Sequence, residues 1–478
     1  MQAPVLRSHA PQRPTHVPPR RLHRRSRGFT LVEMLVAMAL TLIMVYAIAE
    51  FYAYVGDSVR DGRAMIEMGG QLRAATQRLK RDLDSLTVRV VPWTDDGNNS
   101  GYFEYYEGRK SDKFPDGSST SVATDSNSNG TYDMLEANAT NLLGDGDDIL
   151  AFTINSGAEP FQGRNGTATA VSRQAEVVWW VGFLDANKNG AYDASEFAID
   201  APRFLFRRQL LILPSLGQVN SNTFATAAEA QDALVIYLRD HDISASVRLG
   251  SDGQYRLFAN SLSDLTRREH RFAHLFNGTN GFPGPLDLHA GTIHLRYNLT
   301  TAIGEDIVLS NLLAFDVRAF DPTAPVMGDT NDPATSVLAL APGDIGYTSS
   351  GTAVLTQGAY VDLGYNQIYG TSKSSVFSGQ PDTRSQLLDG YGGISTGTNY
   401  GFTYDTWSLS YERGQPGGGV AMNGIDDNSS GGVDDPTERQ TSPPYAVPLR
   451  GIQVKIRLYD PGSRQVRQAT VVADFVDE

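Results

Sequence analysis

Residues 34–49, MLVAMALTLIMVYAIA, carry no charge and almost no polar side chain. With Phe29–Leu31 before it and Phe51–Val55 after it, this run approaches the ~20 residues that span a bilayer. One reading is a single-pass anchor. A second is a secretory signal, with the small-x-small triplet Ala47-Ile48-Ala49 as the cleavage site before Glu50. Neither accounts for Glu33, an acid just inside the apolar run. A carboxylate at mid-membrane costs about 2.5–3.5 kcal/mol on insertion scales.

Charge sets the direction of insertion. Residues 1–28 hold seven arginines and no acid, whereas the whole chain is −14, so everything after Gly28 carries −21. Basic flanks stay on the cytoplasmic side of an inserted segment. The acidic body is therefore expected across the membrane. Its charge also argues against direct contact with nucleic acid, which needs clustered Lys and Arg. The chain has no cysteine, so disulfides, thiolate metal sites and a Cys nucleophile are excluded.

The stretch RSRG followed by FTLVEMLVAMAL closely resembles the N-terminal signal of type IV prepilins and type II secretion pseudopilins. The resemblance implies cleavage by prepilin peptidase after Gly28, N-methylation of the new N-terminal Phe29, and an assembly role for Glu33. Such an acid can pair with the amine that cleavage uncovers in a neighbouring subunit. Breaking a buried pair is costly, so it can enforce axial register. The leader departs from the family in being long and Pro-rich. No proline interrupts the helix before Pro92, so any kink must come from Gly56 or Gly69-Gly70.

After the apolar run, Leu72, Ala75, Leu79, Leu83 and Leu86 recur at three- and four-residue steps, an amphipathic helix continuous with the anchor. Arg73, Arg78, Lys80, Arg81 and Asp82 are expected on its other faces. Beyond Val88 the pattern turns to strand. AEVVWWVGFL (175–184), RFLFRRQLLIL (203–213), ALVIYLRD (233–240), ISASVRLG (243–250), TIHLRYNL (292–299) and NLLAFDVRAFD (311–321) are β-rich runs between turn signals. FATAAEAQDALVIYL is the one place for a short helix. At the C-terminus, Ile452, Val454, Ile456 and Leu458 alternate with polar residues before DPGSRQ turns the chain into VRQATVVADFV, a hairpin with one apolar face. Residues 322–447 are dense in Gly, Ser, Asn and Asp and read as one large insertion.

The expected fold is α+β and pilin-like, with a long N-terminal helix, half membrane-spanning and half amphipathic, packed on antiparallel sheets. The expected segments are a cleaved leader (1–28), an assembly helix (29–55), an amphipathic stem (56–88), a β-rich domain (89–321), the insertion (322–447) and the closing hairpin (448–478). The strand-rich body, LLAFDVRAFDP and IQVKIRLYDP also look like the J-type minor pseudopilin and PilW-like prepilin group. That resemblance implies an inner-membrane, single-pass subunit with an extracytoplasmic body. Its partners would be prepilin peptidase, the other pilins or pseudopilins of a filament and an inner-membrane assembly platform. The rival from another class is a secreted calcium-binding β-rich protein or adhesin cleaved after Ala49.

Two loops carry oxygen ligands at the spacing calcium needs. In DSNSNGTYDMLE (125–136) the ligands would be Asp125, Asn127, Asn129, the Thr131 carbonyl, Asp133 and Glu136. In DANKNGAYDASE (185–196) they would be Asp185, Asn187, Asn189, the Ala191 carbonyl, Asp193 and Glu196. The template resembles an EF-hand loop, but strand-like flanks around the second point to a calcium-stapled hairpin connection. Asp-Asn-Gly clusters also simply make turns. DDNSSGGVDDPTE (426–438) is a degenerate copy, with Thr437 at the twelfth position. GISTG (393–397) matches a nucleophile-elbow pattern but sits in a glycine-rich loop. His270 and His274 lack the adjacent glutamate of a zinc helix. No enzymatic activity is expected.

Overall fold

In the computed structural model, the residues described are 29–91, 100–107, 146, 148–182, 203–267, 270–272, 307–328, 339–342, 344, 354–363, 365, 402–406, 447–461, 463 and 465–476. The chain divides into two units, meeting between Arg60 and Asp61. Helix α1 (Leu31–Asp84) contributes to both and runs unbroken through Gly56 and Gly69-Gly70. None of those glycines is held by a close neighbour.

In the first unit the helix is exposed along its length, with Leu35, Leu42, Val45 and Phe51 all more than half accessible. In the second unit α1 behaves differently. Met68, Leu72, Ala75, Leu79 and Leu83 are buried at helical spacing and join the main core. The helix ends at Asp84, and Leu86, expected as its last apolar position, instead bridges to Ile154 beyond it. The Thr87 amide donates to the Thr153 carbonyl at 3.0 Å, so this β-prone stretch is drawn along a strand edge.

That strand belongs to a six-stranded antiparallel sheet. Its members are β1 (Phe103–Glu107), β2 (Ile149–Asn155), β5 (Gln174–Gly182), β6 (Phe204–Leu211), β9 (Ile307–Ser310) and β13 (Phe402–Asp405), in the order β13-β1-β2-β5-β6-β9. One face meets α1. The other is covered by helix α2 (Ala227–Asp240) and the hairpin β7 (Ala245–Leu249)–β8 (Tyr255–Ala259), which form a second core with Val178, Trp180 and Phe206. Burial on both faces explains why β5 reads as a continuous apolar run instead of an alternating one. A small hairpin, β3 (Phe161–Asn165) and β4 (Ala168–Ser172), pairs with neither sheet but packs beside β6, with Phe161 against the main core.

The second sheet is built on β10 (Leu312–Gly328), whose first half pairs β14 (Gly451–Asp460) and whose second half pairs β12 (Val354–Val361). β14 pairs β15 (Gln465–Asp474), and the two-residue β11 (Ala339–Leu340) meets the end of β10. Ile452, Val454, Ile456 and Leu458 are all buried and face the main core, while their neighbours are half-exposed. The C-terminal hairpin thus forms with its apolar face inward, as its alternation predicts.

Two expectations need correction. ALVIYLRD (233–240) lies within α2, not in a strand. Its start is fixed by a capping box: Thr226 Oγ1 accepts from the Glu229 amide, and Glu229 reaches back to the Thr226 amide. Local capping and the alanine-rich first turn outweigh the β-branched run that follows. Second, the boundary at 321 falls inside β10, and residues 322–447 supply β11 and β12 to one sheet and β13 to the other. Short strands in a Gly- and Ser-rich background leave no periodicity long enough to read.

Candidate functional site

The apolar helix begins at Thr30, which acts as its N-cap. Thr30 Oγ1 accepts from the Glu33 amide at 3.2 Å, while Glu33 Oε2 accepts from the Thr30 amide at 2.9 Å and from its hydroxyl at 3.0 Å. This is a reciprocal capping box, Thr-x-x-Glu, of the same type that starts α2. Sequence reasoning treated Glu33 only as a charge in lipid and missed this local role, although the Thr-Leu-Val-Glu spacing signals it. The box holds the Glu33 carboxylate against the amide of Thr30, one peptide unit from the nitrogen of Phe29. The side chains around it are exposed, Phe29 at 82% and Leu31 at 77% accessible.

From here to Val55 the helix is long and apolar enough to cross a membrane, and it is unburied throughout that stretch. Glu50 is the only other charged residue before Asp57. Aromatic residues gather late in the run, with Phe51 and Tyr52 in edge-on contact at 6.1 Å.

In the second unit the stem is held by a polar clamp as well as by apolar packing. Asp82 is 4% accessible and faces the sheet, contrary to its expected placement on another face of the helix. It lies three residues beyond Leu79 and seven beyond Ala75, on the stripe itself. Arg207 on β6 meets it bidentately, Nε to Oδ2 at 2.7 Å and Nη2 to Oδ1 at 2.9 Å. Trp179 on β5 donates Nε1 to Oδ2 at 3.0 Å, and Gln209 accepts from Arg207 at 3.1 Å. A fork-to-fork pair in a dry site fixes the rotation of the stem on the sheet, because a one-residue slip would leave a buried charge uncompensated.

A second buried charge cluster ties in the strand from 322–447. Arg271 Nη1 bonds Glu104 of β1 and Asp405 of β13, each at 2.8 Å. Its remaining donors meet the Leu265 carbonyl at 2.8 Å and the Thr266 carbonyl at 2.9 Å. Glu176 nearby accepts from Tyr102, Ser244 and the Phe272 amide. Burial raises its pKa above the usual carboxylate value, against the pull of those donors. These groups are engaged with one another and with the surrounding backbone.

His270 has a structural place: its Nδ1 lies 3.0 Å from the Asp264 carbonyl, and Asn260 donates to its own carbonyl at 2.8 Å. His274, the GISTG loop, Gly28, all twelve calcium-type ligands and the degenerate loop at 426–438 lie outside the described residues, as does TIHLRYNL. Among the described residues no group of three or more His, Asp or Glu side chains is arranged to hold a metal ion.

Residues 23–48 match a family model described as a prokaryotic N-terminal methylation motif, a span that includes Gly28, Phe29 and Glu33. No curated protein and no solved structure matches the chain.

Proposed function

We propose, from the premise that this chain carries a type IV prepilin-like signal at residues 23–48, that it is a minor subunit of a type II secretion or type IV pilus-like filament. The signal implies processing by a prepilin peptidase and assembly with other pilins, and the apolar helix fits a membrane-anchored single-pass protein. The observation that carries the reading is this motif on a helix whose apolar side chains are exposed from Leu31 to Val55. It favours assembly over a secretory signal cut before Glu50.

In this reading the first unit is anchor first and packing element later, with the body on the far side of the membrane from the leader. Head-to-tail packing of such helices makes an open polymer. The 390 residues after the stem are bulky for a closely packed shaft, which supports a tip or initiating position and the J-type comparison. Finding the chain as the abundant repeating subunit of sheared filaments would overturn that position. The role is one of assembly, with no catalytic step.

Glu33 is the residue assigned to register, and its capping role makes the test specific. Glu33→Gln keeps a side chain able to close the capping box but removes the charge. Glu33→Ala removes both. If pairing with the Phe29 amine drives assembly, both variants are processed and both fail to enter filaments. Assembly of Glu33→Gln at wild-type level would reduce Glu33 to a helix cap. The two calcium-type loops are proposed as structural staples, since metal binding to a preformed site adds to folding stability. Chelation with EDTA should lower the melting temperature, and an unchanged melt would remove them from the account.

A further inference from the structure

The two acids of the apolar helix, Glu33 and Glu50, bracket the uncharged residues 34–49. Those 16 residues cover about 24 Å at ~1.5 Å per residue. A bilayer's hydrocarbon layer is ~30 Å thick, so both acids lie outside it only where the membrane thins or their side chains snorkel to the surface. In a layer of ordinary thickness the backbone of one acid is inside. Which one it is determines how deep the whole anchor sits.

The aromatic residues decide between them. The 54 residues of α1 contain four aromatics, Tyr46, Phe51, Tyr52 and Tyr54, all within four residues of Glu50, whereas the ring near Glu33 is Phe29, which has no hydroxyl. Their accessibilities are 70%, 63%, 69% and 74%, with no protein over them. Helical side chains lean toward the N-terminus, so the rings at 51, 52 and 54 cover the turn around Glu50. Tyr and Trp concentrate where the acyl chains meet the headgroups, because the ring is apolar and the hydroxyl needs water. Asp57 and Arg60, paired one to two turns further on, are already fully polar.

We infer that Glu50 with Phe51, Tyr52 and Tyr54 forms the interfacial belt that sets the depth of the anchor, at the leaflet away from the leader. This rests on the membrane-anchored reading above and goes beyond it by fixing the register. The hydrocarbon layer then covers roughly residues 31–50, with its midplane near Leu40. Glu33, seventeen residues before Glu50, lies about 26 Å from the belt and thus just inside the opposite boundary, while the nitrogen of Phe29 lies at that boundary. The alternative register uses Asp57 as the boundary and puts the midplane near Tyr46, sinking Glu50 into lipid.

The absence of cysteine makes the test clean. Single cysteines are placed at 37, 40, 43, 46, 49 and 52 in the full chain, labelled with an environment-sensitive dye and reconstituted in phosphatidylcholine–phosphatidylglycerol vesicles. Quenching by lipids doxyl-labelled at shallow and deep acyl positions then gives a depth for each site. The expected profile is deepest at 40, with position 52 quenched best by the shallow label. A profile deepest at 46 overturns the inference while leaving the anchor intact. Absence of deep quenching at every site overturns the membrane reading itself. In the variant Glu50→Leu/Tyr52→Leu/Tyr54→Leu the deepest site should move from 40 toward 43 or 46; an unmoved profile denies the belt its role.

Discussion

One helix, α1, is written in two ways. From Leu31 to Val55 its side chains are apolar on every side and none is buried. From Met68 to Leu83 the buried apolar residues recur at every third or fourth position, five in all. Backbone geometry is the same in both halves, so helix formation itself does not distinguish them. The difference is the solvent each half is written for: lipid and neighbouring helices for the first, a single sheet face for the second. Polar groups follow the same division. Glu33 is engaged with Thr30 of its own first turn, whereas Asp82 is matched by Arg207 and Trp179 from the sheet. Asp82 is therefore tied to another element of the fold, whereas Glu33 finds its partner within one turn of the same helix.

That contrast can be broken most sharply at Asp82. Asp82→Ala leaves the Arg207 guanidinium buried without its partner, a change that typically destabilises by about 3–5 kcal/mol. Chemical denaturation of the detergent-solubilised chain, followed by tryptophan fluorescence, measures it, with Trp179 among the four reporters. The double variant Asp82→Leu/Arg207→Met should recover most of the loss, because replacing a whole buried pair by apolar groups is close to neutral. Next comes Leu79→Ala, expected to cost about 2–5 kcal/mol by cavity formation. Leu40→Ala, the same chemical change in the anchor, should leave the unfolding transition of the second unit where it was. An equal loss from both would dissolve the distinction.

Acid should act on the second unit as well. Burial, with Arg248 beside it, pushes the His270 imidazole down to about 3, against the opposing pull of Asp264. An unfolded histidine takes up its proton near pH ~6.5, but the folded one does not until about pH 3. The unfolded state therefore binds more protons across that window, and stability falls as pH drops through it. The slope from this group is at most about 1.4 kcal/mol per pH unit. His270→Gln should flatten the decline between neutral pH and mild acid. The smallest effect is a gain: Gly70→Ala, at a position with open space around it, should stabilise the stem by about 0.5–1 kcal/mol.

Much of this was legible before any coordinates. The uniform apolar run, the stem periodicity from Leu72 to Leu83 and the alternation in the C-terminal hairpin each extend over several periods, so one physical cause dominates each. Asp82 is hard to place locally because a charge ordinarily faces water, although its spacing from Ala75 and Leu79 puts it on the buried stripe. α2 is legible only in part because residues 233–238 have β-branched character, while the deciding signal, Thr226 with Glu229, lies upstream. β1, FEYYE, escaped notice because its glutamates suggest a surface, yet Glu104 is matched by Arg271, 167 residues away. Such partners are brought together by topology, and no local pattern announces them. The anchor site was more legible than the body: its meaning rests on Gly28, Phe29 and Glu33 at fixed spacing, while its capping box needed the hydrogen bonds.

The central claim is that the apolar helix is kept and re-used after cleavage at its cytoplasmic end. Mass spectrometry of the mature N-terminus, from the native membrane, tests it directly. The account predicts a chain beginning with N-methylated Phe29. A chain beginning at Glu50, with the whole apolar run removed, would contradict it.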